Sequence, residues 1–404
     1  MKGHAWWGLL ATLLLISILA HRGILSILVV ILMLATAASE LWTRYCLSQV
    51  TYRRHLAHPQ IAFGEETNLT LEFVNAKPLP LAWLLVRDEF PIQVRLLTGE
   101  LRHKSSLDRE WFVNLVSLRW YERLTRTHRL RGEQRGQFAL GPAELASGDV
   151  FGFRRRSESD TTVDILTVYP KVVPVEALGL PAGRPMGEWF APRRIQEDPL
   201  RFSMVREYVP GDNPRYIHWK ASARTGTLQT KVFEPSQTLT LMLALDIQTL
   251  PRRYEYIGEY LEYGCSAAAS LATHALAERY MVGLFANGIA DGKRDWVHVR
   301  AGRSPQQLTH LLTMLAALGP ISGDRFARML GAMAPLLPFG ATVIAITAMP
   351  EEPVYEALAA LQESGHRVLL CTIGDEPVSV PESLTAYHLG GRDAWHRLET
   401  LELA

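Results

Sequence analysis

The chain has 404 residues, the length of two or three ordinary domains. Its 42 Lys and Arg against 41 Asp and Glu leave a formal net charge of +1, which argues against a broadly basic nucleic-acid binder and an acidic disordered tail. Hydrophobic residues at 48% supply ample core, while Cys46, Cys265 and Cys371 form neither a disulfide framework nor a CxxC metal knuckle.

The first elements are apolar. Ala5 to Ala20 carries no charge, His21-Arg22-Gly23 interrupts, and Ile24 to Trp42 holds only Glu40. Each run approaches the roughly 20 residues that cross a bilayer. Residues 1–46 are therefore expected to form a transmembrane helical hairpin, with Trp6, Trp7 and Trp42 at the water interfaces. Lys2, Arg44, Arg53 and Arg54 fall on one side, and Arg22 alone lies in the turn. That asymmetry predicts a multi-pass protein of the inner (cytoplasmic) membrane whose soluble domains face the cytoplasm. A secretory signal ending at Ala35-Thr36-Ala37 is the rival reading, but the apolar region is too long and is broken by His21-Arg22.

Residues 47–177 read as a β-rich, sandwich-like domain. Thr67–Val74 puts Leu69, Leu71 and Phe73 on one face, and further strands are expected at Leu81–Val86, Trp111–Trp120, Glu122–Arg131, Gly136–Leu140 and Thr162–Tyr169. Arg123, Arg126, Arg129, Arg131 and Arg135 crowd one stretch, most simply a solvated strand face, alternatively a patch for anionic lipid headgroups. Residues 178–200 are rich in Gly and Pro and read as a linker.

Residues 201–237 are the densest polar segment. Pro210-Gly211-Asp212-Asn213-Pro214 predicts a turn. Around it stand Arg206, Arg215, Lys220, Arg224 and Lys231, interleaved with Tyr208, Tyr216 and Trp219. Such a mixture suits either an internally braced loop or a site that grips a phosphate or a partner's carboxylate. Single-stranded nucleic acid also uses basic and aromatic mixtures, but the patch is short and the chain neutral, so no nucleic-acid partner is expected.

The run from Arg206 to Leu228, an R-x-Y-x-x-G-D followed by R-x-I-x-W-K and S-A-R-x-G-x-L, resembles the signature of the family catalogued as "domain of unknown function 58". One departure is His218, where many relatives carry Asp before the Trp-Lys pair. Arg206, Tyr208, Gly211, Asp212, Arg215, Trp219, Lys220 and Arg224 are the signature residues expected to contact a partner or to brace the loop.

Residues 238–404 alternate strand and helix. The apolar run Leu239–Asp246 reads as a buried strand of a parallel sheet. Helix Tyr256–Arg279, strands Met281–Ala286 and Trp296–Val299, helices Ser304–Leu318 and Asp324–Leu336, strand Ala341–Thr347, helix Pro353–Ser364, strands Arg367–Ile373 and Ala386–Leu389 and helix Asp393–Leu401 follow. The order implies an α/β doubly wound open sheet, with Asp246, Thr347 and Asp375 at its carboxyl edge. The family resemblance implies a von Willebrand factor A-like domain, whose first strand ends in D-x-S-x-S and holds a divalent metal. Here Gln248 and Leu250 stand at the serine positions, leaving Asp246 and Thr249 as the remaining candidates of a degenerate site. No cofactor is expected, Mg²⁺ being disfavoured by ligand count, and Asp246 is expected to cap the following helix.

The chain contains no Walker A loop, GxSxG elbow, HExxH or GxGxxG after a strand, so no enzyme is expected. The resemblance implies a link to MoxR-type AAA+ ATPases. The function expected is a membrane-anchored, non-enzymatic scaffold or adaptor, acting in protein complex assembly or maturation. A metal-dependent ligand binder or hydrolase centred on Asp246 is the alternative.

Overall fold

The computed structural model describes residues 2–19, 23–99, 101–103, 108–149, 154–176, 197–209, 217–235, 239–252, 255–289, 296–338 and 340–402. The chain divides into two compact units, Met1–Pro170 and Lys171–Ala404.

The first unit opens with two helices, Lys2–Leu19 and Gly23–Tyr45. They lie antiparallel: the Trp7 indole donates to Glu40 Oε2 at 3.0 Å, and the Ser17 and Ser26 hydroxyls meet at 2.8 Å. The second helix is long and apolar enough to cross a membrane, and the first holds a shorter apolar stretch, Trp6–Leu19. Ile24, Ile31 and Leu34 of the second helix stand exposed, a surface that water would disfavour and hydrocarbon would accept.

Two antiparallel sheets follow. One has the order Val50–Leu56, Glu66–Asn75, Arg123–Gly132, Val94–Leu96. The other runs Arg155–Asp160, Ala143–Gly148, Leu81–Pro91, Arg109–Leu118, Leu101–His103. A smaller sheet of Gln60–Ile61, Asp164–Val168 and Gly136–Leu140 completes the unit. Alternation sets which residues face inward. Leu69, Leu71 and Phe73 from one sheet and Leu84, Val86, Phe90 and Phe112 from the other are buried in one shared core. Each such aromatic or aliphatic side chain contributes about 1.5–3 kcal/mol by leaving water.

The same alternation carries Asp88 inward. Its carboxylate takes Arg54 Nη1 at 2.5 Å and the Tyr52 hydroxyl at 2.7 Å, and Arg54 Nε reaches Asp164 at 2.8 Å. Arg54 and Asp88 are 1% and 0% exposed, so this ion pair sits inside the core region.

Of the arginine-rich stretch, Arg123, Arg126, Arg129 and Arg131 point to solvent, with Arg123 and Arg129 pairing across strands with Glu72 and Glu66. Arg135 is buried instead.

The second unit is built on a six-stranded sheet. Its order is Val297–Gly302, Met281–Ala286, Thr240–Leu245, Thr342–Thr347, Arg367–Ile373, Thr385–Gly390, all parallel except the first, which is antiparallel to its neighbour. Alternate residues of Thr240–Leu245 feed two cores. Leu241, Leu243 and Leu245 pack with helices Gly258–Ala277 and Gln307–Ala317. Met242 and Ala244 pack with helices Phe326–Met333 and Glu352–Glu363 on the other face. Burial on both faces is why this strand is apolar throughout rather than alternating.

Three expectations need correction. The helix expected at Asp393–Leu401 spans only Arg392–His396, because Leu401 is buried and pairs in a short parallel strand with Val175. The linker expected at 178–200 lies, over 178–196, outside the described residues, and Glu197 to Leu200 belong to a strand. Within 201–237, where a turn at Pro210–Pro214 is expected, the structure has an antiparallel ribbon of Glu197–Glu207 and Gln229–Pro235 that carries a helix of about two turns, Trp219–Thr225; the expected turn lies outside the described residues.

Candidate functional site

Two places carry the residues singled out in the sequence: the signature ribbon and the carboxyl edge of the six-stranded sheet.

In the ribbon, several signature residues prove to be framework. His218 precedes the short helix, and its Nδ1 accepts the Ala221 N–H at 3.1 Å, the service that an Asp at this position would perform. Its backbone N–H donates to the Gln229 carbonyl at 2.7 Å, fastening the helix to the second strand. The Ser222 hydroxyl donates to the His218 carbonyl at 3.1 Å and accepts the Gln229 N–H at 2.8 Å. Gly226 ends the helix with φ +74°, a left-handed cap that a side chain would strain. Tyr208 joins through its backbone N–H, which donates to the Leu228 carbonyl at 2.8 Å.

The remaining described signature residues point outward. Trp219 is 69% exposed, and Lys220 and Arg224, four residues apart on one face of the helix, are exposed as well. Val209 and Leu228 add apolar surface. Arg206 is exposed and donates through Nη1 to the Glu207 carbonyl at 3.1 Å. Gly211, Asp212 and Arg215 lie outside the described residues. Ala in place of His218 removes the cap acceptor and should cost about 1 kcal/mol of helix stability, whereas His218→Asp should retain it. Amide hydrogen exchange at Ala221 and Ser222 reads the difference directly.

The second place is the switch point of the sheet. From Thr240–Leu245 the chain moves first to a strand on one side and later to Thr342–Thr347 on the other, so ligands of such sheets would sit between these two strand ends. Asp246 and Thr347 are there, and they touch: the Thr347 hydroxyl donates to Asp246 Oδ2 at 2.7 Å. Asp246 Oδ1 takes the Asn287 amide at 2.7 Å and the Gln248 N–H at 3.0 Å. Asn287 in turn accepts the Ile247 N–H at 2.7 Å and donates to the Asp324 carbonyl at 3.2 Å. Burial pushes the Asp246 carboxyl up to about 6, against the pull of the Thr347, Asn287 and Gln248 hydrogen bonds.

Asp246 does not cap the following helix; Ile257 stands at that position and offers no side-chain cap. Thr249 accepts the Ile257 N–H at 2.8 Å, and Gln248 spends its amide on the Leu250 and Pro251 carbonyls. Asp375 engages other partners, accepting the Arg392 N–H at 2.9 Å, which holds its carboxyl below the ordinary value. Among the described residues no group of three or more His, Cys, Asp or Glu is placed to hold a metal ion. With both Asp246 oxygens already taken by donors and Leu250 offering none, this donor set does not fit an octahedral cation.

Asn287 and Asp324 escaped the sequence reading. Asn287 could have been found as the first polar residue after the apolar strand Met281–Ala286, the position that Asp246 holds on its own strand.

Comparison with known proteins adds the following. The chain is 25% identical over 301 residues to "Uncharacterized protein YeaD" of Bacillus subtilis (strain 168), covering 70% of this chain and 67% of that one. Solved structures with partial likeness include the CARDB domain of the PF1109 protein from Pyrococcus furiosus, 11% identical over 30% of this chain and 91% of that chain, TM-score 0.21. A non-cellulosomal cohesin from Archaeoglobus fulgidus is 11% identical over the same shares, TM-score 0.20. The matching family model spans residues 204–382, which hold most of the signature ribbon and five of the six strands of the α/β sheet. Through that region, rather less than half of its length, the chain matches the model of the family described as "Protein of unknown function DUF58".

Proposed function

We propose that this protein is a membrane-anchored, non-enzymatic adaptor that presents a von Willebrand factor A-like domain to a cytoplasmic partner, a MoxR-type AAA+ ATPase, in the assembly or maturation of other protein complexes. The observation that carries the reading is Trp219. An indole 69% exposed, flanked by Lys220 and Arg224 on a helix pinned by His218, Ser222 and Gly226, has the composition of an interaction hot spot. A rigid frame beneath outward-facing aromatic and basic groups lowers the entropy that binding must offset. The saturated Asp246 network supports a structural rather than a catalytic sheet edge. The two N-terminal apolar helices supply the anchor, a transmembrane hairpin, and the arginines that follow the second helix support the cytoplasmic orientation.

The test is retention of the ATPase by immobilised full-length protein. Trp219→Ala should weaken retention at least tenfold, and Arg224→Ala should weaken it with a steeper loss at low salt. Full retention by correctly folded Trp219→Ala would remove the contact role.

A further inference from the structure

A groove of about 550 Å³ opens beside the last turns of the second helix. Ala37, Leu41 and Arg44 of that helix, Trp7 of the first helix, and Arg154, Arg155 and Arg156 line it. Four arginines and one carboxylate, Glu40, thus line the groove.

The arginines are positioned rather than merely nearby. Asp149, 1% exposed, accepts the Ser39 hydroxyl of the helix at 3.0 Å and the Arg154 N–H at 2.8 Å, so it ties the arginine segment to the helix. Arg156 donates through Nη1 to the Arg44 carbonyl at 2.7 Å and through Nη2 to Glu158 at 2.8 Å, which fixes the plane of its guanidinium. Glu40 is held by the Trp7 indole at 3.0 Å and by Arg154 Nη1 at 3.3 Å. Arg155 stands exposed on the outermost strand of its sheet.

An apolar track leads out of this basic groove. Ile27, Val30, Leu34 and Leu41 are all exposed, and their spacing places them on the helical face that ends at Arg44. A free anion would use the arginines and leave the track bare. A phospholipid uses both, with its phosphate among guanidinium forks and an acyl chain along the helix.

We propose that this groove binds an anionic phospholipid of the bilayer at its headgroup phosphate. The inference rests on the membrane anchoring proposed above. It would make lipid composition a determinant of how the β-rich unit is held at the membrane surface.

The experiment uses the full-length protein extracted in mild detergent and offered phosphatidylglycerol or phosphatidylcholine at equal concentration, with retained lipid counted by native mass spectrometry. Phosphatidylglycerol should be retained in preference, and Arg154→Gln with Arg155→Gln should lower its retention by about fivefold per arginine. Arg155→Gln alone, at an exposed edge position, serves if the double variant does not fold. Equal retention of the two lipids, or a preference that survives the substitutions, overturns the proposal. So does displacement of the lipid by excess inorganic phosphate, which would mark the groove as a site for a free anion. Alkaline carbonate extraction separates the two readings: release of the wild type from membranes overturns the anchoring and this inference together. Protein that stays embedded but shows no lipid preference overturns this inference alone.

Discussion

Arg54→Ala destabilises the β-rich unit by about 3–5 kcal/mol, the cost of leaving one member of a buried ion pair without its partner. Asp88 is 0% exposed and would keep only the Tyr52 hydroxyl of its present side-chain donors. The Thr162 carbonyl, which Arg54 also reaches, loses a donor as well. Unfolding of detergent-solubilised protein, followed by tryptophan fluorescence, should show a lowered midpoint. The triple variant Tyr52→Phe, Arg54→Met, Asp88→Leu should recover much of the loss, because it replaces the polar cluster with apolar groups of similar size. A loss below about 1 kcal/mol in the single variant would mean that water reaches Asp88 and that the pair is not buried in solution.

Asp246 gives the second large effect, and its sign is opposite. A carboxyl whose folded value is about 6 holds its proton more tightly than the unfolded chain does, near 3.8. Stability from this group is therefore greatest below about pH 4 and falls as pH rises toward 6. Above that it stays reduced, by about 3 kcal/mol. Asp246→Asn should remove the penalty, so the variant should gain stability over the wild type at pH 8 and lose that advantage near pH 4. Asn keeps an acceptor for Asn287 and Gln248, and Thr347 can turn its hydroxyl to accept. Asp246→Ala should instead destabilise at every pH, since three donors lose their acceptor. Millimolar Mg²⁺ should leave the wild-type melting midpoint unchanged. A rise with metal that Asp246→Asn abolishes would support the hydrolase or ligand-binding alternative.

Much of the architecture is legible because burial imposes a period. Thr67–Val74 alternates, and Leu69, Leu71 and Phe73 are all fully buried; Leu241–Leu245 is an unbroken apolar run, and it belongs to a central strand covered on both faces. Period alone misleads at Leu398 and Leu401. Their three-residue spacing imitates a helix face, but strand pairing with Val175 claims Leu401. The signature hid its own strands, because the dense Pro, Gly and Asp cluster at 210–214 signals a turn and nothing more. Non-local partners were out of reach. Nothing near Asp88 in the chain announces Arg54, and although the strand order brings Thr347 to the same sheet edge as Asp246, its hydrogen bond and that of Asn287 exist only once the sheets have formed. The candidate interface was half legible. The residue types stood out, but only the fold separates His218, Ser222 and Gly226, which build the frame, from Trp219, Lys220 and Arg224, which face outward.

The most direct test of the adaptor reading is co-purification of tagged full-length protein from its native membrane in mild detergent, with and without ATP, and identification of its partners by mass spectrometry. The account predicts enrichment of an AAA+ ATPase that responds to nucleotide and disappears with Arg224→Ala. Recovery of background proteins only, under conditions that keep other membrane complexes intact, would contradict it.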